Sequence, residues 1–324
     1  MTASQDFIRQ KAAVMSRAIE EIGPGYDCQG GGNPIAVCSG VPVEAQVLRV
    51  LRLLDEVFFP GYRSDCAGTE DLVTYVIERL DEAYDILYRQ VKRAIPLRWS
   101  AANRDSGTLE APLDDSSVSA EAARTVDTLF TRIPAIREML KLDVIAAYHG
   151  DPAAKSYSEV ILSYPGLRAI TVYRVAHELY LLNVPLIPRL MTEWIHAQTG
   201  IEIHPGARIG ESFFIDHGSG VVIGETTEIG NRVRIYQGVT LGAYSFPLDE
   251  RGNPIKGLKR HPTIEDDVVI YPGATILGGE TVVGSGAVIG GNVWLTRSVP
   301  SHTTVTLRLD GGQFTQVAKG RKKE

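Results

Sequence analysis

From Ile201 to Pro300 an aliphatic side chain returns at every sixth position. Ile203, Ile209 and Ile215 set the beat, Ile223, Ile229, Ile235 and Leu241 continue it, and Ile264, Ile270, Ile276, Val283, Ile289 and Leu295 complete it. An amphipathic helix repeats near 3.6 residues and a half-buried strand near 2, so neither produces a period of six. The pattern predicts a solenoid in which each hexad is one short strand and one turn. Three hexads close a triangular coil, and stacked coils bury the aliphatic position. Glycine follows the aliphatic residue directly at 210, 224, 230, 242 and 290, which suits a position with little room for a side chain.

The beat fails in three places, and insertions in a solenoid must bulge outward. Ile215 to Ile223 is two residues too long, which predicts a distorted turn at Asp216, His217 and Gly218. Leu241 to Ile264 is far too long, so 243–263 is expected to leave the body as an arm that returns through Lys259-Arg260-His261-Pro262. One extra residue between Ile276 and Val283 is a minor break.

Before the coils the periodicity is helical. Segments near 4–22, 43–57, 70–94 and 119–142 are expected to be helices, the last capped by Ser116, Ser117 or Ser119. The stretch 100–119 is rich in Ser, Asp, Gly and Asn and reads as an exposed loop. Gly30-Gly-Gly-Asn-Pro34 reads as a turn, because it lacks the Lys-Ser/Thr ending of a phosphate loop. Residues 157–199 form a further helical stretch that Pro185 and Pro188 divide in two, with Gly200 as its stop. This places an α-helical domain at 1–199, with 1–120 its extended N-terminal part, a β-helix at 200–305 and a C-terminal tail at 306–324.

Composition narrows the function. A chain of 324 residues with net charge −6 is not a general nucleic-acid binder. No run nears the roughly 18 apolar residues that span a bilayer. The first residues alternate polar and apolar, unlike a signal peptide, so a cytoplasmic protein is expected. Cys28, Cys38 and Cys66 form neither an even disulfide framework nor a CxxC knuckle. The Lys-rich end reads as a solvated tail.

His217 is the candidate base, since an imidazole exchanges a proton near neutral pH. Glu202 lies fifteen residues earlier, a little under one coil, so stacking is expected to bring its carboxylate to the ring as in a His-acid dyad. Asp216-His217 falls on one register break and Arg260-His261 closes another.

These features resemble the serine O-acetyltransferases of cysteine biosynthesis, members of the left-handed hexapeptide acyltransferases. The resemblance rests on Glu202-Ile-His-Pro-Gly-Ala-Arg-Ile-Gly210, Asp216-His217, Val222-Ile-Gly-Glu-Thr226, Gln237-Gly-Val-Thr-Leu-Gly242, Arg260-His-Pro-Thr-Ile264 and Pro300-Ser-His-Thr-Thr304, with Asp151-Pro152 and Tyr173-Arg-Val-Ala-His177 before the coils. It covers about 140–305 and implies an α+β chain, helices followed by a left-handed parallel β-helix with an extended loop. The implied reaction is acetyl transfer from acetyl-CoA to the hydroxyl of L-serine, without an acyl-enzyme and without a metal.

Carried over residue by residue, the resemblance makes His217 the base and Glu202, where the family usually has Asp, its orienting partner. Asp151 and Asp216 receive the substrate ammonium, and Arg260 and His261 its carboxylate. A backbone N–H at Gly242-Ala243 faces the oxyanion, and Pro272 and Gly291 wall the pantetheine. A zwitterion needs anions at one end and a cation at the other, which agrees. The resemblance further implies homotrimers or dimers of trimers with sites between subunits, and feedback inhibition by cysteine. The family's usual Gly-Val-Pro-Ala turn after His-Thr-Thr is replaced by Val305-Thr-Leu-Arg308, and the chain ends in Lys323-Glu324 rather than Ile, so a complex with O-acetylserine sulfhydrylase is not expected.

Two rival readings use the same scaffold. Another hexapeptide acyltransferase keeps the base but changes the acceptor, and Asp151 with Arg260 favours an amino-acid acceptor. A γ-class carbonic anhydrase needs three histidines on zinc; His204, His217 and His261 are the available set, and their spacings do not recur as a ligand pattern. A catalytically dead scaffold is disfavoured because the base and its partners are all present.

Overall fold

The computed structural model describes residues 40–63, 72–106, 114–245, 247–250, 252–255, 257–310 and 313–320. The helix expected at 4–22, the Gly-rich turn at 30–34 and the three cysteines lie outside the described residues. From Pro42 onward the chain is one compact unit. Among the described residues, six helices precede the coils: α1 (Glu44–Phe58), α2 (Leu72–Ser106), α3 (Asp115–Gly150), α4 (Tyr157–Ser163), α5 (Pro165–Leu181) and α6 (Ile187–Thr199). None among the described residues is long and apolar enough to cross a membrane.

Three boundaries differ from the sequence expectation. The Ser- and Asp-rich stretch 100–119 is not one loop, because α2 runs on to Ser106 and α3 begins at Asp115. Its cap is Asp114, whose Oδ1 accepts from the Ser117 N–H at 2.7 Å, so residues that read as loop chemistry are helix-start chemistry. The stretch 157–199 holds three helices, since Pro165 opens α5 in a first-turn position where the missing N–H costs nothing. Gly200 ends α6 as expected, in the left-handed conformation at φ +68°.

The coils form a left-handed parallel β-helix with three faces. Face A holds β1 (Ile201–Ile203), β4 (Val221–Ile223), β7 (Thr240–Gly242), β10 (Thr275–Leu277) and β13 (Trp294–Leu295). Face B holds β2 (Arg208–Ile209), β5 (Glu228–Ile229), β8 (Thr263–Ile264) and β11 (Val282–Val283). Face C holds β3 (Phe214–Ile215), β6 (Arg234–Ile235), β9 (Val269–Ile270), β12 (Val288–Ile289), β14 (Thr303–Asp310) and β15 (Gln313–Gly320). The hexad aliphatics point inward and are buried. Each such side chain contributes roughly 1.5–3 kcal/mol on burial.

A buried ion pair joins the helices to the first coil. Arg174 on α5 makes a two-pronged bond to Asp143 on α3, at 2.7 and 2.8 Å. The same guanidinium donates to the Gly210 carbonyl at 2.9 Å, and Asp143 accepts from the Phe213 N–H at 2.9 Å. Tyr173 donates to the Ala207 carbonyl at 2.6 Å, one helical residue earlier.

The arm leaves after β7 and folds on itself, with Leu248 bridged to Pro254, before returning into β8. Within the expected C-terminal tail, 306–324, the described residues are strand: β14 runs to Asp310 and β15 from Gln313 to Gly320. β14 joins face C beside β12 and pairs antiparallel with β15 from Thr303↔Gly320 to Asp310↔Gln313.

Candidate active site

The corner between faces C and A carries the first cluster. The two-residue insertion makes its turn with three left-handed residues, His217 at φ +57°, Gly218 at +90° and Gly220 at +78°. The regular corner position is occupied by Gly220, Gly238, Gly273 and Asn292, so His217 is an additional one. A non-glycine residue in this region carries strain of about 1 kcal/mol or more. The imidazole points outward, 73% exposed, with Nε2 3.8 Å from Asp216 Oδ1.

Asp151, the C-cap of α3, stands beside this pair. Its carboxylate accepts from Tyr164 Oη at 2.5 Å and from the Ala153 N–H at 2.8 Å. Those bonds, Tyr164 first, hold the group below the usual carboxylate range, helped by His217 and Arg234. Asp216 moves the other way: burial raises it, His217 opposes the rise, and repulsion from Asp151 adds to it. The two carboxyls therefore share a site with opposite tendencies. α3 approaches only because it ends in glycine, since a methyl on Gly150 would lie 2.7 Å from the Phe214 ring and 2.8 Å from Arg234.

Glu202 is not in hydrogen-bond or ion-pair contact with His217. The register aligns it with Val222 on the neighbouring coil, whereas His217 belongs to the same coil as Glu202, five residues before that partner. The stacking argument from a spacing of fifteen therefore does not hold, because the insertion at 216–220 lengthens the first coil.

The corner between faces A and B carries the second cluster. Thr226 organises it: its Oγ1 accepts from the N–H groups of Arg260 and His261 at 2.9 and 3.1 Å. The His261 Nδ1 accepts from the Thr226 N–H at 3.1 Å and lies 2.9 Å from Oγ1. Nδ1 is thus an acceptor and the ring proton sits on Nε2. His261 is only 7% exposed, and burial, then the neighbouring Arg260 charge, lowers its pKa to about 4. At neutral pH it is a donor and not a cation. Its ring rests on Gly224, where a methyl would approach to 2.1 Å.

Arg260 supplies the positive charge. Its guanidinium pairs with Glu225 at 2.5 Å, and Tyr180 Oη donates to the other carboxylate oxygen at 2.9 Å. Burial pushes the Glu225 carboxyl up, but these two donors outweigh it and hold it below its usual range. Glu225 and Thr226 lie inside the Val222–Thr226 motif, yet sequence reasoning gave them no role. Tyr164 and Arg234 carried no sequence signal. Ala243, where the arm departs, donates no hydrogen bond from its N–H.

The two clusters do not meet within one chain. Charges acting on Asp216 come from His217, Asp151 and Arg234, while those acting on His261 come from Arg260, Glu225, His204 and Lys259. The three histidines of the zinc reading are divided the same way, with His204 near His261 and His217 at the other corner. The described residues contain no cluster of three metal-ligating side chains.

Pro272 and Gly291 belong to the His217 corner. Register pairs Ile215, Ile235, Ile270 and Ile289 in turn, and the Gly238 N–H donates to the Ser219 carbonyl at 2.9 Å, so Ser219, Gln237, Pro272 and Gly291 follow one another along the edge, with His217 in the bulge two residues before Ser219. Bonds from the Gly273 N–H to the Gln237 carbonyl and from the Asn292 N–H to the Pro272 carbonyl, both 2.9 Å, hold that order. Tyr236 and Tyr271 stack beside it at 5.2 Å with rings 4° from parallel.

A serine acetyltransferase from Synechococcus elongatus, described as plasmid-borne, is 51% identical over 258 residues, 79% of this chain and 79% of that protein. The chain belongs to the serine acetyltransferases. The family profile for the serine acetyltransferase N-terminal region matches residues 98–172, which span the end of α2 to the first half of α5. Serine acetyltransferase of Bacillus subtilis is 52% identical over 167 residues, 52% of this chain and 72% of that protein. Among solved structures, Entamoeba histolytica serine acetyltransferase 1 in complex with L-cysteine superposes with a TM-score of 0.67 at 40% identity, covering 80% of this chain and 86% of that one. The match to the family extends over both the helices and the coils, so both corner clusters lie on a shared scaffold.

Proposed function

We propose that the chain transfers the acetyl group of acetyl-CoA to the hydroxyl of L-serine, giving O-acetyl-L-serine and CoA. His217 takes the hydroxyl proton as the serine oxygen attacks the thioester carbonyl. The C–S bond then breaks, and the imidazolium returns the proton to the departing thiolate. No acyl-enzyme forms. Asp151, kept ionised by Tyr164, receives the ammonium together with Asp216. Arg260 receives the carboxylate, His261 contributes a neutral N–H, and the uncommitted Ala243 N–H beside Gly242 faces the oxyanion. Glu202, outward on the same coil as the base, orients the ring once substrate is bound, since catalytic hydrogen bonds tighten in the complex. Acetyl-CoA lies along the edge past Pro272 and Gly291.

The observation that carries this reading is the juxtaposition of His217 with two carboxyl groups, Asp151 and Asp216, on a chain 51% identical over 258 residues to a serine acetyltransferase. The ammonium and carboxylate groups of serine need both corners, so a second copy of the chain completes the site, as trimers or dimers of trimers provide. L-cysteine, bound in the Entamoeba relative, has the same charged ends as serine and competes for them.

The test is thiol release from acetyl-CoA offered with serine, homoserine, threonine and sugars. Serine is expected to be the preferred acceptor, and His217→Ala to lower kcat by about 10²–10⁴-fold with the assembly unchanged. Undiminished turnover in that variant removes His217 from the mechanism, and a sugar preference removes serine.

A further inference from the structure

The C-terminal hairpin changes how the edge beside His217 ends. Every other strand of face C turns at the corner, but β14 runs straight on to Asp310 and returns as β15. Because Thr304 pairs with Val288 and Val305 with Ile289, Leu307 is the next member of the series Ser219, Gln237, Pro272, Gly291, which starts beside the bulge that carries His217. Arg308 stands one residue beyond. The series spans four coil steps of about 4.8 Å each, so about 19 Å separate the base from the hairpin, a length an extended pantetheine chain covers.

The four positions that precede Leu307 offer a hydroxyl beside the base, an amide, a proline and a glycine, none of them a fixed cation. Arg308 is the first guanidinium along this path. Val305 is buried inward, so strand alternation puts Thr304, Thr306 and Arg308 on the outer side of the hairpin. Lys319 lies opposite Thr304 in the antiparallel register and shares that side. Both cations are exposed. Arg308 pairs with Thr315 and Lys319 with Thr304, so the two cations stand about 13 Å apart along the hairpin, a spacing for two separate phosphate groups, and a carrier whose thioester is at His217 meets Arg308 where its chain gives way to phosphates.

We propose that the outer face of this hairpin, through Arg308 and Lys319, binds the phosphate groups of acetyl-CoA. The hairpin so takes over the nucleotide end of the groove. The assignment rests on the co-substrate reading above and adds to it a recognition element on the C-terminal hairpin. Guanidinium and ammonium groups are suited to phosphate oxygens through charge-assisted hydrogen bonds.

The experiment compares acetyl-CoA with S-acetyl-pantetheine, which carries the same thioester and no phosphate. Arg308→Gln is expected to raise KM for acetyl-CoA about tenfold, the effect of losing one charge-assisted bond, and the double variant with Lys319→Gln to raise it further. Neither kcat nor the KM for serine should move, and S-acetyl-pantetheine should be used alike by all three proteins. In the wild type, added KCl should raise KM for acetyl-CoA and leave that for S-acetyl-pantetheine unchanged. An unchanged KM for acetyl-CoA, or equal losses with both carriers, overturns the hairpin assignment while leaving the reaction intact. Failure of the wild type to release thiol with serine from either carrier overturns the parent reading and this one with it.

Discussion

At the scale of single residues the site depends on what each titrating group is prevented from doing. His261 keeps an acceptor nitrogen toward Thr226 and stays neutral because burial and Arg260 oppose its charge. His204, lowered to about 4 by burial and then Arg189, sits in the same corner. Both bind a proton in the unfolded chain near pH 6.5 and in the fold only near 4, so the stability they confer is present above pH 6.5 and lost as pH falls toward 4. The melting temperature is expected to be several degrees lower at pH 5 than at pH 7.5, and His261→Asn, which keeps an acceptor for Thr226, to flatten part of that slope. A slope identical in the variant would remove His261 from the account. His217 differs in kind: its left-handed backbone and exposed ring follow from the insertion, which the sequence displays as a lengthened hexad. The partner of that ring was not legible, because which carboxylate lies beside it depends on a register that the same insertion shifts.

Among elements, the hexads were readable because an inward-pointing column admits one kind of side chain at one interval, and tertiary context has no means to hide it. The hairpin β14–β15 was missed although its signal is present: Val305, Leu307 and Leu309 alternate with polar residues, and Asp310-Gly311-Gly312 is hairpin chemistry. The Lys-rich end, which reads as a solvated tail, masks it. Nor does sequence announce the joint between helices and coils, since Asp143 and Arg174 are ordinary charged residues until folding buries them at 1% and 6% exposure. Removing one member leaves a buried charge without its partner, which costs about 3–5 kcal/mol, whereas replacing both with apolar residues is far less costly. Arg174→Met should therefore lower the unfolding free energy read from a urea titration by that amount, and Arg174→Met with Asp143→Leu should recover much of it, both measured at one protomer concentration. If the double variant is as unstable as the single one, the hydrogen bonds to Gly210 and Phe213 dominate and the charge pair does not.

For the whole molecule, the decisive feature is that the proposed base and the proposed carboxylate clamp occupy different corners of the β-helix. Face A lies between them, so a single chain offers His217, Asp151 and Asp216 on one edge and Arg260, His261 and the Ala243 N–H on another. Closed symmetry repeats one interface around the assembly, and that interface can join the C–A corner of one copy to the A–B corner of the next. His217→Ala spoils only the first half-site and Arg260→Ala only the second. Each variant alone should be inactive or nearly so at serine concentrations that saturate the wild type. When the two are dissociated and reassembled in equal amounts, an interface is restored only where an intact His217 meets an intact Arg260. With random mixing this happens at about one interface in four, so about a quarter of wild-type turnover should return. Sites contained within single chains would give no recovery at any mixing ratio, because every chain then carries one lesion in its own site.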